Sequence, residues 1–259
     1  MLLTPLMGLE HENTLTLSWG GIWQEDQYLS PLKYSNHYLS IQNQWRQPLL
    51  SKQKDSLCLW THTGTLRIEG QRLYSPQYTN MMYGLLLEGG WGAEYNFNHL
   101  IGVRGFNLFL GPYLDALFCA RQHATNVNKP FSFDIILQTY ARLGVAFAFA
   151  HKQTSYRIGY TAQLGLLGCM FIPEYGQSYY EISQGVTHGD FHFASLNNCI
   201  QFRQRLCFDM QFKRSAWTIG VEHFYGNQHA NSLLFSRQQV AIVIGTIFTS
   251  KTTVRKFDY

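Results

Sequence analysis

The residues best placed for chemistry lie in the run Thr187-His188-Gly189-Asp190-Phe191-His192-Phe193-Ala194-Ser195. Asp190 and His192 stand two positions apart, so on an extended chain a carboxylate and an imidazole share one face, where such a pair could activate water. The sequence contains no Asp-x-Asp that could add a close pair of carboxylates. A serine nucleophile would have to sit on the face of its histidine, but His192 and Ser195 are three apart and fall on opposite faces. His62 has no serine two positions away and reads as an interfacial residue. No histidine pair has metal-ligand spacing with an accompanying carboxylate. Cys58, Cys119, Cys169, Cys199 and Cys207 form neither a CxxC nor a CxxH arrangement. The expectation is no enzyme, no metal and no cofactor, with Asp190 and His192 as the only catalytic candidates, in a segment expected near the outer mouth of a barrel.

Composition shows what must hold these residues. Charged residues are 14% of the 259 and aromatics 15%, against roughly 25% charged in an average soluble domain. A water-facing surface is hard to cover with so few charges. The longest apolar runs, such as Leu164 to Ile172, fall far short of the roughly 18 residues of a spanning helix, which excludes a helical membrane protein. The net charge of +4 is spread over scattered basic residues, so nucleic acid has no electrostatic footprint. Met1 to Leu9 lacks the charged leader and cleavage site of a signal peptide; for an exported protein, that peptide is expected to have been removed already.

Period-two alternation decides the fold. From Phe131 to Phe149 the odd positions are almost all apolar, while the even set includes Ser132, Asp134, Gln138, Tyr140, Arg142 and Gly144. The pattern far outlasts an ordinary strand, and it resumes after His151-Lys152-Gln153 with Tyr156, Ile158, Tyr160, Ala162 and Leu164 on one side. Similar alternation predicts about ten strands (8 to 12) near 14–23, 36–46, 56–69, 80–96, 99–118, 131–151, 154–171, 197–212, 216–226 and 237–249. The fold expected is an all-β, transmembrane, antiparallel up-and-down barrel over 14–249, with a periplasmic N-terminal segment, 1–13, and a periplasmic tail, 250–259. Connections at 24–35, 70–79, 119–130, 172–196 and 227–236 read as long outer loops, and those near 97, 152 and 214 as short periplasmic turns. The fairly long 47–55 connection is discordant. A soluble β-sandwich also alternates, but with its apolar face inside, and strands of this length favour the membrane.

The polar face then lines a lumen carrying Glu88, Asp115, Asp134, Arg142, Arg157, Arg203, Arg205, Asp209, Glu222 and Arg237. A ten-stranded ring is barely wide enough for side chains to fill, and opposite charges there are expected to pair into a plug. Inward glycines such as Gly84, Gly90 and Gly144 are expected to make room for the arginines or to let strands bend. Trp19, Trp91, Tyr95 and Trp217 are expected to mark interfacial girdles.

Two loop segments carry a resemblance. Tyr28-Leu29-Ser30-Pro31-Leu32-Lys33-Tyr34-Ser35 and Pro173-Glu174-Tyr175-Gly176-Gln177-Ser178-Tyr179-Tyr180-Glu181-Ile182 are similar to a family of small outer-membrane barrel proteins of the Bacteroidota whose function is not established. The resemblance implies a fold and a location, not a reaction. Tyr28, Pro31, Tyr34, Tyr175, Tyr179 and Tyr180 would then form an ordered loop cap or dock a partner. The Asp-x-His spacing of Asp190 and His192 also resembles that of omptin-type proteases, and the likeness ends there. The function expected is a non-enzymatic scaffold or accessory subunit of an outer-membrane complex. It would touch outer-membrane lipid (lipopolysaccharide or phospholipid) and other outer-membrane proteins. A small porin is the alternative, and an outer-membrane protease or lipid hydrolase the second.

Overall fold

A computed structural model of the chain describes residues 10–48, 60–97, 105–125, 130–174, 184, 189–213 and 215–251. The strands are β1 (Glu10–Asp26), β2 (Ser30–Pro48), β3 (Trp60–Tyr74), β4 (Met81–Asn96), β5 (Phe106–His123), β6 (Phe131–His151), β7 (Thr154–Phe171), β8 (Phe191–Ser195), β9 (Cys199–Gln211), β10 (Ala216–Ala230) and β11 (Leu233–Lys251). Each pairs antiparallel with its neighbours, and β1 pairs β11 from Glu10↔Lys251 to Asp26↔Phe235, which closes the ring. β8 and β9 are two pieces of one interrupted strand beside β7, so the ring is a ten-stranded antiparallel barrel. Closure satisfies the backbone without leaving a long edge, the condition a sheet must meet in an apolar medium.

The interruption has a definite cause. Between Leu167↔Ser195 and Leu164↔Phe202 the descending chain carries extra residues around Asn198. The Asn198 side-chain oxygen accepts from Ser195 N at 2.8 Å, and its amide nitrogen donates to Phe193 O at 2.8 Å. One amide thus imitates a neighbouring strand for β8, while Asn198 O accepts from His229 N and continues the β9–β10 ladder.

Alternation sets the two faces. Outward lie Leu15, Leu17, Ile41, Leu66, Ile68, Leu85, Leu87, Ile242 and Ile244, each about half exposed, forming an apolar belt. Inward, four layers follow one another from the end that carries both chain termini, called here the near end. The first two are charged. The third is largely apolar, with Ile22, Tyr38, Leu86, Leu117, Ile136 and Met170 buried; Leu73 and Met82 of the same cluster lie farther out, Met82 pairing with His123 beyond Arg121. The last, at the far end, holds Asp26, Arg121, Ser132 and Asp134.

Several boundaries differ from the sequence reading. The expected long loops 24–35 and 227–236 are mostly strand: β1 runs to Asp26 and β2 starts at Ser30, while Asn231 and Ser232, both with positive φ, make the tight turn from β10 to β11. Beyond the belt the outward positions become polar, as at Glu25, Ser35, Asn227 and Ser236, so the apolar half of the alternation fades although the strands continue. β8 also lies inside the expected loop 172–196. The inward glycines make room for aromatic rings and amides instead of arginines: a Cβ on Gly144 would fall 2.0 Å from the Phe109 ring, on Gly90 2.3 Å from the Tyr113 hydroxyl and on Gly84 2.2 Å from the Gln71 amide.

Candidate functional site

The lumen is the main concentration of functional side chains, and strand parity puts them there. In the near-end layer, Arg157 of β7 grips Glu12 of β1 through both terminal nitrogens, at 2.8 and 2.6 Å, and donates from Nε to Asp209 of β9 at 2.6 Å. Across the ring, Glu94 takes Arg46 at 2.8 Å and faces Arg142 at 3.2 Å. Both guanidiniums lie near the Phe109 ring, at 4.8 and 6.0 Å.

The middle layer is more deeply buried. Arg67 of β3 donates to Glu222 of β10 at 2.5 Å and lies 3.3 Å from Glu69, and Glu222 also faces Arg205 at 3.2 Å. Arg203 holds Glu88 through both terminal nitrogens. Asp115 is buried on the same inner face. Gln239 donates to Glu69 and Tyr140 to Gln201, each at 2.5 Å. Arg237 is buried with its guanidinium 4.4 Å from the Phe224 ring. At the far end, Arg121 donates to Asp26 at 2.7 Å and to Asp134 at 2.5 Å, and lies 4.2 Å over the Phe235 ring. Desolvated charges persist in such a space because opposite charges and hydrogen bonds surround them.

All ten expected lumen residues, from Glu88 to Arg237, therefore face inward. Sequence reading passed over Glu12, Arg46, Arg67, Glu69 and Arg121, which with Glu94 complete the pairs. Parity could have found Arg67 and Glu69, since they alternate with the outward Leu66 and Ile68; Arg121 lay beyond the expected strand end at 118. Two small cavities lie along the axis. One, of about 30 Å³, is lined by Gln42, Gln44, Thr65, Arg142, Thr161, Gln163, Arg203, Arg205 and Glu222. The other, of about 20 Å³, lies among Asp26, Tyr28, Ser132, Asp134, Ile172 and Leu233–Phe235. Each has room for a water or two.

The catalytic candidates fall at β8. Asp190 precedes it, is buried, and its carbonyl accepts from Ile172 N at 2.9 Å; His192 is half-buried, paired with Met170 of β7. Across the lumen, the aspartates Asp26 and Asp134 are both bound to Arg121. Among the described residues no group of three or more His, Cys, Asp or Glu is placed to hold a metal.

The expected partner tyrosines divide. Tyr28 and Tyr34 are buried. Tyr34 meets His123 Nε2 at 2.6 Å and Ser30 at 3.3 Å, and with Tyr28 and Leu29 it belongs to the cluster that closes the far end. Pro31 is exposed at the start of β2. Tyr175, Tyr179 and Tyr180 lie outside the described residues. Trp19, Trp91 and Trp217 are about half exposed on the outer wall, and Tyr95 packs edge-on against Trp60 at 5.2 Å. His62 stacks on Trp91 at 5.3 Å.

No curated protein matches the chain. Among solved structures, the outer membrane protease OmpT of Escherichia coli aligns with TM-score 0.49 and 7% identity, over 95% of this chain and 100% of that one. The transport unit of the autotransporter AIDA-I of Escherichia coli aligns with TM-score 0.49 and 7% identity, over 96% and 93%. The translocator domain of the autotransporter NalP of Neisseria meningitidis aligns with TM-score 0.35 and 8% identity, over 95% and 91%. One family model matches residues 11–249, nearly the whole barrel, and the chain belongs to that family, described as a protein of unknown function (DUF3316).

Proposed function

We propose that this chain is a non-conducting barrel of the outer membrane, with its termini in the periplasm, that serves as a scaffold or accessory subunit of a larger outer-membrane complex. The observation that carries the reading is the packing of the lumen among the described residues: paired charges from β1 to β10, a buried apolar cluster and the Arg121 cluster occupy its inner face. The membrane part rests on the outward belt. Leucines, isoleucines and valines exposed all round the ring would cost a soluble protein a continuous apolar surface, which a bilayer covers.

The subunit part rests on an asymmetry of the outer wall. On β10 the outward apolar run spans only Trp217 to Val221, then gives way to His223, Tyr225, Asn227 and His229. On β6 it continues from Phe131 to Phe149, and Phe118, Phe133, Phe171 and Phe191 form a row of neighbouring rings across β5 to β8 at spacings of 5.2 to 6.3 Å. A bilayer has one thickness, so the longer side carries apolar surface that a neighbouring protein would cover.

Mild-detergent extraction followed by native-gel mass and planar-bilayer recording tests this reading. A heavy complex with no conductance supports it. A lone 30 kDa species, or steady ion current altered by Arg203→Ala, overturns it in favour of a small channel. Peptide or lipid hydrolysis lost in Asp190→Ala and His192→Ala would overturn its non-enzymatic part.

A further inference from the structure

We infer that the outer wall of β2–β4 at the far end binds the phosphate of a lipid A type glycolipid, through Arg72 with an acyl chain beneath it; this rests on the outer-membrane reading above. The other arginines of the described strands turn into the lumen, where most meet carboxylates. Arg72 alone turns outward, and among the described residues no carboxylate pairs with it. Its Nε donates to the soft sulfur of Met81 at 3.3 Å, and its guanidinium lies 5.2 Å over the Tyr74 ring. Neither terminal nitrogen has a hydrogen bond among the described residues, so the planar fork that suits a phosphate is unused.

The surroundings fix the depth of this cation. Its cross-strand partners are His37 on β2 and Tyr83 on β4, both exposed. His37 stacks on the outward Trp19 at 5.2 Å and 22°. Tryptophan and tyrosine on the outside of a barrel favour headgroup level, so Arg72 sits where lipid phosphates are.

Immediately toward the belt the sequence places Gly70, paired with Leu39 on one side and Leu85 on the other, with Ile68 next on the same face. A Cβ built on Gly70 meets nothing within 4 Å. The result is an apolar notch directly below an unpaired guanidinium, the shape and polarity of a phosphorylated, acylated lipid. With the termini in the periplasm, the far end faces outward and the leaflet there supplies lipid A.

The test uses the full chain folded into neutral phosphatidylcholine nanodiscs and measures retention of diphosphoryl lipid A by native mass spectrometry, with phosphatidylglycerol as the competing phosphate lipid. Wild type is expected to retain lipid A against excess phosphatidylglycerol. Arg72→Ala is expected to weaken retention about tenfold, as loss of a charge-assisted contact does. Gly70→Leu, which fills the notch and leaves the charge, is expected to weaken it also. Unchanged retention in Arg72→Ala, with the barrel still resistant to unfolding in cold detergent, overturns the site. Equal retention of phosphatidylglycerol overturns the assignment to lipid A. Failure of wild type to enter any bilayer is a separate result, since it removes the membrane reading and not merely this site.

Discussion

Glu222, like Glu94, serves two arginines, and its loss should be strongly felt. One carboxylate oxygen accepts from Arg67 at 2.5 Å and the other faces Arg205 at 3.2 Å; the Arg67 and Glu222 side chains are 1% and 2% exposed. Glu222→Gln removes the charge and keeps the volume. Arg67 retains Glu69 at 3.3 Å, but Arg205 is left with Thr16 Oγ1 at 3.4 Å. Stranding one partner of a buried pair costs about 3–5 kcal/mol. Because Arg205 is 11% exposed, solvent relieves part of its share, and the expected loss is near the lower end, about 3 kcal/mol. The double variant Arg67→Met with Glu222→Leu strands Arg205 in the same way and also takes Arg67 from the buried Glu69, so it is expected to cost more than the single variant, about 4 kcal/mol or above. Urea unfolding in phospholipid vesicles, followed by tryptophan fluorescence from Trp19, Trp91 and Trp217, measures both. A loss below about 1 kcal/mol for Glu222→Gln, or a double variant more stable than the single one, would refute the claim that pairing is what keeps these charges inside.

Three further outcomes follow from the geometry. Gly111→Ala should cost about 3 kcal/mol or more, since its Cβ would lie 1.9 Å from the backbone oxygen of Ala93 on the adjacent strand, whereas Gly70→Ala should stay within about 0.5 kcal/mol; gel mobility before and after heating separates the two. Asn198→Ala removes the two hydrogen bonds that stand in for a neighbour of β8, at about 1 kcal/mol each, and hydrogen exchange should rise at Phe191–Ser195 with β10 and β11 unaffected. Tyr34→Phe loses the contacts to His123 and Ser30 and should lower stability by about 1 kcal/mol without changing the mass of any native complex; a lighter complex would return Tyr34 to the role of partner contact.

The fold was legible wherever one face of a strand meets an apolar medium. Phe131 to Phe149 could be read without ambiguity because lipid-like and lumen residues differ in kind. The reading faded where both faces are polar: Glu25 outside and Asp26 inside give no period-two contrast, and the same holds near Asn227 and Gln228. Hence two pairs of strands seemed joined by loops where they meet in tight turns. The lumen charges were legible in type and side, but not in partnership. Arg157 pairs with Glu12 from a strand far away in sequence, a closure that only the β1–β11 ladder and the width of the ring impose. For Tyr28 and Tyr34, set among serine, proline and lysine, the sequence could not separate a cap from a docking site; Tyr28 lies in the β1–β2 turn and Tyr34 on the inward face of β2, and both are buried.

The same closure that fills the lumen shifts the question of function to the outer wall. Most interior charges of the described residues are held by a neighbour, and Tyr28, Leu29 and Leu233 belong to a buried cluster toward the far end. On the outside, a barrel that served only to sit in lipid would need no more than a uniform belt. This wall departs from uniformity twice: in the ring row from Phe118 to Phe191, and in Arg72 above its notch, on β5–β8 and β2–β4 respectively. The two lie on different stretches of the wall, and the neighbours proposed for them differ: an apolar protein surface and an anionic lipid. A barrel held between a lipid contact and a protein contact would be fixed in rotation as well as in depth, which is what a subunit needs in order to present one face to its complex.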